Sequence, residues 1–230
     1  MKIVNNEKLI KRNSKIGQWT SIGALLILGG GMYISFSKPA LFNYSLVALV
    51  TGFLLTQVGM YYGNRFGRSP RPFEQLNAGL KGLPGDFTIY HYMTPVPHLL
   101  VGPAGIWTII PMRQKGKISY QKNRWKLTGG GFAQSYMSIF GQEGLGRPDL
   151  DVQNDIHAVT KFLGKKMGEV EFPEVQGILV FTHDDIEIEP NDAPIPSLPL
   201  KKLKDFMRQK IKERPISTTT LSAINEVLSE

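Results

Sequence analysis

Three consecutive residues, His183, Asp184 and Asp185, follow an apolar run and offer borderline and hard metal ligands. Adjacent side chains on regular structure point in different directions, so this triplet reads as a strand-end turn in preference to a ligand set. A second group is cationic. Arg113, Lys115, Lys117, Lys122, Arg124 and Lys126 place six positive charges in fourteen residues without an acid, with Tyr120 and Trp125 among them. That pattern suits a phosphate-tracking surface with an aromatic ring for base stacking. It equally suits a solvated hairpin, or one resting on anionic lipid. Gly129 to Gly131 lack the Gly-Lys-Ser/Thr sequence of a phosphate loop and read as a turn. His91 and His157 have no partner visible in the sequence and read as structural.

The acids are informative by their distribution. Between Asp86 and Glu143 lie 56 residues with no Asp or Glu. Metal-assisted phosphodiester cleavage needs hard oxygen ligands, normally two or more carboxylates, to hold Mg²⁺ and activate water. No metal or other cofactor is expected, and Mg²⁺ would enter only if nuclease chemistry survived. Zero cysteines exclude disulfides and thiolate metal sites.

The elements that must position these residues begin with two uncharged runs, Ile16 to Ser37 and Pro39 to Asn64. Each is long enough to cross a bilayer core of about 30 Å, which takes about 20 helical residues. A secretory signal would have a shorter apolar region and an Ala-x-Ala cleavage site, and neither is present. Trp19, Tyr61 and Tyr62 suit one membrane interface, and Tyr33, Phe36, Phe42 and Tyr44 the other. The sequence therefore predicts a two-helix transmembrane hairpin over 16–64, after a basic N-terminal segment 1–15 and before a basic linker 65–71. Lys and Arg dominate both outer flanks, whereas only Lys38 lies between the helices, so both termini are expected in the cytoplasm. No charge interrupts either span, which argues against an ion pathway.

Net charge follows the same division. The formal charge of +8 resides entirely in residues 1–71, with nine basic residues and one acid; residues 72–230 hold eighteen of each. The basicity speaks for membrane orientation and anionic lipid, and gives no global sign of a nucleic-acid partner.

Beyond the linker, Phe73, Leu76 and Leu80 predict a short amphipathic helix. Strands are expected at 87–93, 98–102, 105–112, 117–121 and 124–128, punctuated by Gly and Pro as in antiparallel hairpins. A helix begins near Asp149 and carries Ile156, Val159, Phe162 and Leu163 on one face. Residues 176–183 read as a buried strand, 185–189 alternate, and the prolines from Pro190 to Pro199 predict an extended connection. A helix with Leu200, Leu203, Met207 and Ile211 follows, then a short one from about Leu221 capped by Thr219 or Thr220.

The segment LLVGPAGIWTII with Gly116 six residues on, a Trp-bearing strand and a helix headed by Gln153, resembles the nuclease-related (NERD) domain over residues 72–212. That family is similar to the PD-(D/E)XK nucleases. The resemblance implies an α/β class, a restriction-endonuclease-like mixed sheet flanked by helices, here preceded by two transmembrane helices and followed by a helical tail, 213–230. It also implies where chemistry would sit: the family's Asp falls on Pro97, its Glu on Ile110 and its Lys on Met112, all lost. Glu74 matches an acid of the first helix and is the possible remnant. His98, Arg113 or Lys115 are the nearby candidates to substitute, although imidazole is a poor Mg²⁺ ligand. The expectation is a membrane-anchored, non-catalytic relative that binds or scaffolds at the cytoplasmic membrane face. The alternative is a membrane-tethered nuclease or nucleic-acid-binding protein using Glu74 and the basic hairpin 113–126.

Overall fold

The computed structural model describes residues 1–122, 124–129, 145–168, 170–189, 193–213 and 215–229. Gly130, Gly131 and the start of the proline segment, 190–192, lie outside the described residues. The chain forms two compact units, Glu7–Arg71 and a second made of Met1–Asn6 with Pro72–Glu230.

In the first unit, α1 (Glu7–Ser37) and α2 (Phe42–Tyr62) are joined by a short 3₁₀ turn, Pro39–Leu41. Both are long and apolar enough to cross a membrane. Their outer faces expose large apolar side chains, including Leu25 at 73%, Phe36 at 81% and Phe53 at 54%. Small residues form the seam between them. A Cβ at Gly31 would lie 2.8 Å from the Ala48 Cβ, and one at Gly59 2.5 Å from Ser21 Oγ. Ser45 Oγ donates to the Gly31 carbonyl at 2.8 Å across the seam. Close backbone approach through small residues is how helices gain packing where lipid removes the hydrophobic drive. A Cβ at Gly23, Gly29 or Gly30 would meet no packed atom within 4 Å, so only part of the glycine content serves this contact.

The second unit is built on a six-stranded mixed sheet. Its strands, in spatial order, are β1 (Lys2–Asn5), β2 (Thr88–His91), β3 (His98–Gly102), β4 (Gly105–Met112), β7 (Val175–Phe181) and β9 (Ser197–Pro199). β2, β3 and β4 are antiparallel neighbours; β1–β2, β4–β7 and β7–β9 are parallel. A smaller sheet runs β6 (Arg124–Thr128), β5 (Gly116–Gln121), β8 (Ile186–Ile188). The expected run of hairpins thus breaks after β4, where the chain leaves the main sheet for the smaller one.

Strand alternation divides the core. Trp107 and Ile109 of β4 enter a cluster with Leu76 of α3 (Pro72–Gly79), with Leu80 just beyond it, and with Leu203 and Met207 of α5 (Leu200–Glu213). On the opposite face, Ile106 joins Val159 and Leu163 of α4 (Pro148–Met167) and Leu221, Ile224 and Leu228 of α6 (Thr218–Ser229). Helix α4 carries Asp149 and Asp151 in its first turn and Lys165 and Lys166 in its last, matching the helix dipole at both ends.

Three boundaries differ from the sequence reading. Residues 2–5, expected in a basic N-terminal segment, are the edge strand of the main sheet, bonded in register from Lys2 to Thr88 through Asn5 to His91. Residues 213–230, expected as a separate tail, contribute α6 to the core. The cap of α6 is Ser217, whose Oγ accepts from the Thr220 amide at 3.2 Å; the helix starts a turn earlier than its apolar residues suggest.

Candidate functional site

The positions that the family resemblance marks as vacated lie at the end of β4 and the start of β3. Ile110 and Met112 pack against a third apolar cluster of Ile118, Trp125, Val152, Leu179, Phe181 and Ile195. Pro97 is exposed in the turn before β3, and its carbonyl accepts from the Tyr92 amide at 2.8 Å. Glu74 rides on α3, which packs on the sheet face bearing Trp107 and Ile109, the face opposite Ile110 and Met112. Glu74 therefore does not join Ile110 and Met112 in one site.

His98, a candidate replacement ligand, points to the α3 side as well. Its Nδ1 lies 2.8 Å from His91 Nδ1, and His91 Nε2 lies 2.9 Å from Asn77 Oδ1 on α3. Both rings are buried and form an edge-to-face pair, with Phe73 packed on His91. With the Asn77 oxygen accepting, His91 carries its proton on Nε2, and His98 donates through Nδ1 to the bare His91 Nδ1. Burial lowers the His91 pKa from 6.5 to about 4 because the charged ring is cut off from water. The sequence showed two histidines seven apart without showing that a hairpin would place them directly across from each other.

One carboxylate of α4, Asp155, reaches β4, and the sequence reading passed over it. Asp155 accepts from Thr108 Oγ1 at 3.1 Å. Burial raises its pKa, opposed by the Thr108 bond and reinforced by Asp151. Its signal in the sequence was the four-residue spacing from Asp151, which puts both on one side of a helix. Among the described residues, no group of three or more histidines and carboxylates converges as a metal site would require.

The basic hairpin is real as β5 and β6, but its faces are sorted differently from the stacking arrangement the sequence suggested. Trp125 is buried, and Tyr120 meets it edge-to-face at 5.2 Å inside the third cluster. Neither ring is presented beside the cations for a base to stack on. Arg124 and Lys126 are exposed on the other face. There Lys117 pairs with Glu189 at 2.7 Å, with Glu187 as its cross-strand neighbour; the Glu189 bond is the main cause of its raised pKa. Lys122 occupies the turn at φ 51, and Arg113 and Lys115 lie in the exposed connection before β5. The face is thus a gradient from basic at β6 to acidic at β8, unlike a continuous phosphate track.

His183 to Asp185 form a turn, with the Asp185 amide donating to His183 Nδ1 at 3.1 Å. Asp184 and Asp185 also border an open cleft of about 550 Å³ with Lys117, Thr128, Gly129 and Glu187. At 94% and 86% exposure these carboxylates are hydrated and lack the enclosure that would hold an ion.

No family model, curated protein or solved structure matches this chain.

Proposed function

We propose that the chain is a membrane-anchored binding or scaffolding module, with a two-helix transmembrane hairpin and a degenerate nuclease-related unit that lacks metal-nuclease chemistry. The observation that carries this reading is the packing of Ile110 and Met112 into an apolar cluster where the family's Glu and Lys would stand. Hard-metal chemistry needs oxygen donors at that place, and a hydrocarbon floor provides none. Apolar exposure along α1 and α2 supports the bilayer as the first partner. The parallel pairing of β1 with β2 supports a return of the chain to its starting side, since strands on either end of the hairpin share one sheet. The basic flanks make that side cytoplasmic.

The test uses the full chain in lipid nanodiscs, incubated with DNA and RNA and with Mg²⁺ or Mn²⁺. No cleavage is expected. Cleavage that disappears in Glu74→Ala would overturn the non-catalytic reading. A reporter fused after Glu230 should be active only on the cytoplasmic side.

A further inference from the structure

Within the α/β unit a second cationic surface lies on α5, which the sequence reading did not single out. Its sequence, LKKLKDFMRQKIKE, holds six cations and two carboxylates. Leu200, Leu203, Met207 and Ile211 recur at i, i+3, i+7 and i+11 and face the core. Lys201, Lys204, Arg208 and Lys212 repeat the same spacing one residue on, so they form a parallel ridge about 100° around the helix. Both acids are engaged within the helix: Asp205 with Arg208 at 3.4 Å, and Glu213 with Lys210 at 2.7 Å. Lys201 reaches Asp184 only at 3.8 Å. Among the described residues, Lys202, Lys204 and Lys212 have no carboxylate within salt-bridge distance. Residues 72–230 as a whole are neutral, so this surplus of four is a local segregation of charge.

The helix is also fixed to the first element that follows the hairpin. Leu200 packs on Gly79 at the end of α3, and Arg208 Nη2 donates to the Gly82 carbonyl at 3.3 Å. Helix α3 is eight residues, about 12 Å long, and begins at the residue after Arg71, where the hairpin unit ends. By chain connectivity alone, the unit that carries the ridge follows directly on the hairpin unit.

We propose that the α5 ridge Lys201, Lys204, Arg208 and Lys212 binds anionic phospholipid headgroups of the bilayer that holds the hairpin. This rests on the membrane reading above. Lysine ammonium groups suit lipid phosphates as mobile point charges, and each basic residue near an anionic surface strengthens contact about fivefold. The ridge needs no apolar insertion, because the apolar stripe of α5 is already spent on the core.

The chain has no cysteine, so Gln209→Cys on the exposed side of α5 takes a single fluorophore. The labelled full chain is placed in nanodiscs carrying a headgroup quencher, of phosphatidylcholine alone or mixed with phosphatidylglycerol. Quenching should rise with phosphatidylglycerol, fall at high salt, and be lost in Lys201→Gln/Lys204→Gln/Lys212→Gln. A matched triple in the small sheet, Lys122→Gln/Arg124→Gln/Lys126→Gln, should leave it nearly unchanged, and equal thermal melts should show that both variants fold. Equal quenching in the two lipids, or loss only in the small-sheet triple, overturns the proposal. So does tight oligonucleotide binding by the wild type that the α5 triple abolishes, which would assign the ridge to nucleic acid. A chain that elutes apart from the discs refutes the membrane reading itself, whereas a chain that inserts without lipid-dependent quenching refutes only the ridge.

Discussion

Acidification should destabilise the α/β unit through His91. The ring is buried between Asn77 and His98, and its pKa falls from 6.5 to about 4. The folded-state value is the depressed one, so the unfolded chain takes up the proton first. The stabilisation from keeping this ring neutral is complete above about pH 6.5 and is lost as pH falls to about 4. At about 1.4 kcal/mol per pK unit, the full loss is about 3 kcal/mol. The Nδ1 to Nδ1 contact adds a stoichiometric limit, because only one proton fits between the two nitrogens. Denaturant unfolding of the full chain in detergent, followed by the emission of buried Trp107, should reveal a midpoint that declines steadily from pH 6.5 to 4.5. In His91→Gln the decline over that interval should flatten, while His157→Gln, at an exposed position, should leave it intact. An equal slope in wild type and His91→Gln would refute the reasoning, since the linkage would then belong to another group.

The remaining predictions concern packing. Gly59→Val should loosen the helix seam, where a Cβ meets Ser21 at 2.5 Å, whereas Gly29→Val, with open space around it, should not; thermal melts in detergent should separate them by several degrees. Gly177→Ala places a Cβ 2.1 Å from Val152 Cγ1, and should cost about 1–3 kcal/mol by denaturant unfolding. Ile110→Glu/Met112→Lys, which installs the residue types that the proposed nuclease-related reading would put there, should yield a less stable protein without nuclease activity. New charges would enter an apolar cluster without the matching Asp at Pro97, and chemical denaturation with a cleavage assay reads both outcomes.

Local signals in the sequence carried the elements that depend on local chemistry. The bounds of β3 and β4 were legible because Gly-Pro-Ala-Gly separates two apolar runs. The apolar stretches of the two long helices were legible because no charge falls within 16–37 or 39–64, whereas the start of α1 at Glu7, inside a charged segment, was not. Strand β1 was hidden: four residues of mixed character among lysines give no periodicity, and only β2, far along the chain, makes them a strand. Trp125 shows a different failure. The alternation in RWKLT already assigned Trp and Leu to one face and the cations to the other, but counting charges along the sequence merged the two faces. The vacated positions could be named by resemblance, yet their separation from Glu74 required knowing that α3 covers the opposite side of the sheet.

The distance in sequence between Lys2 and its partner Thr88 gives β1 a place in biosynthesis. A ribosome delivers these strand residues first, then the two apolar helices, and only afterwards the strand that accepts them. The early segment must wait unpaired until β2 is made, and on the proposed membrane reading it can be recruited only if the hairpin has crossed the bilayer an even number of times. On that reading, completion of the sheet would report on the insertion that preceded it: a chain threaded once would leave β1 stranded beyond the lipid, with an open edge at β2.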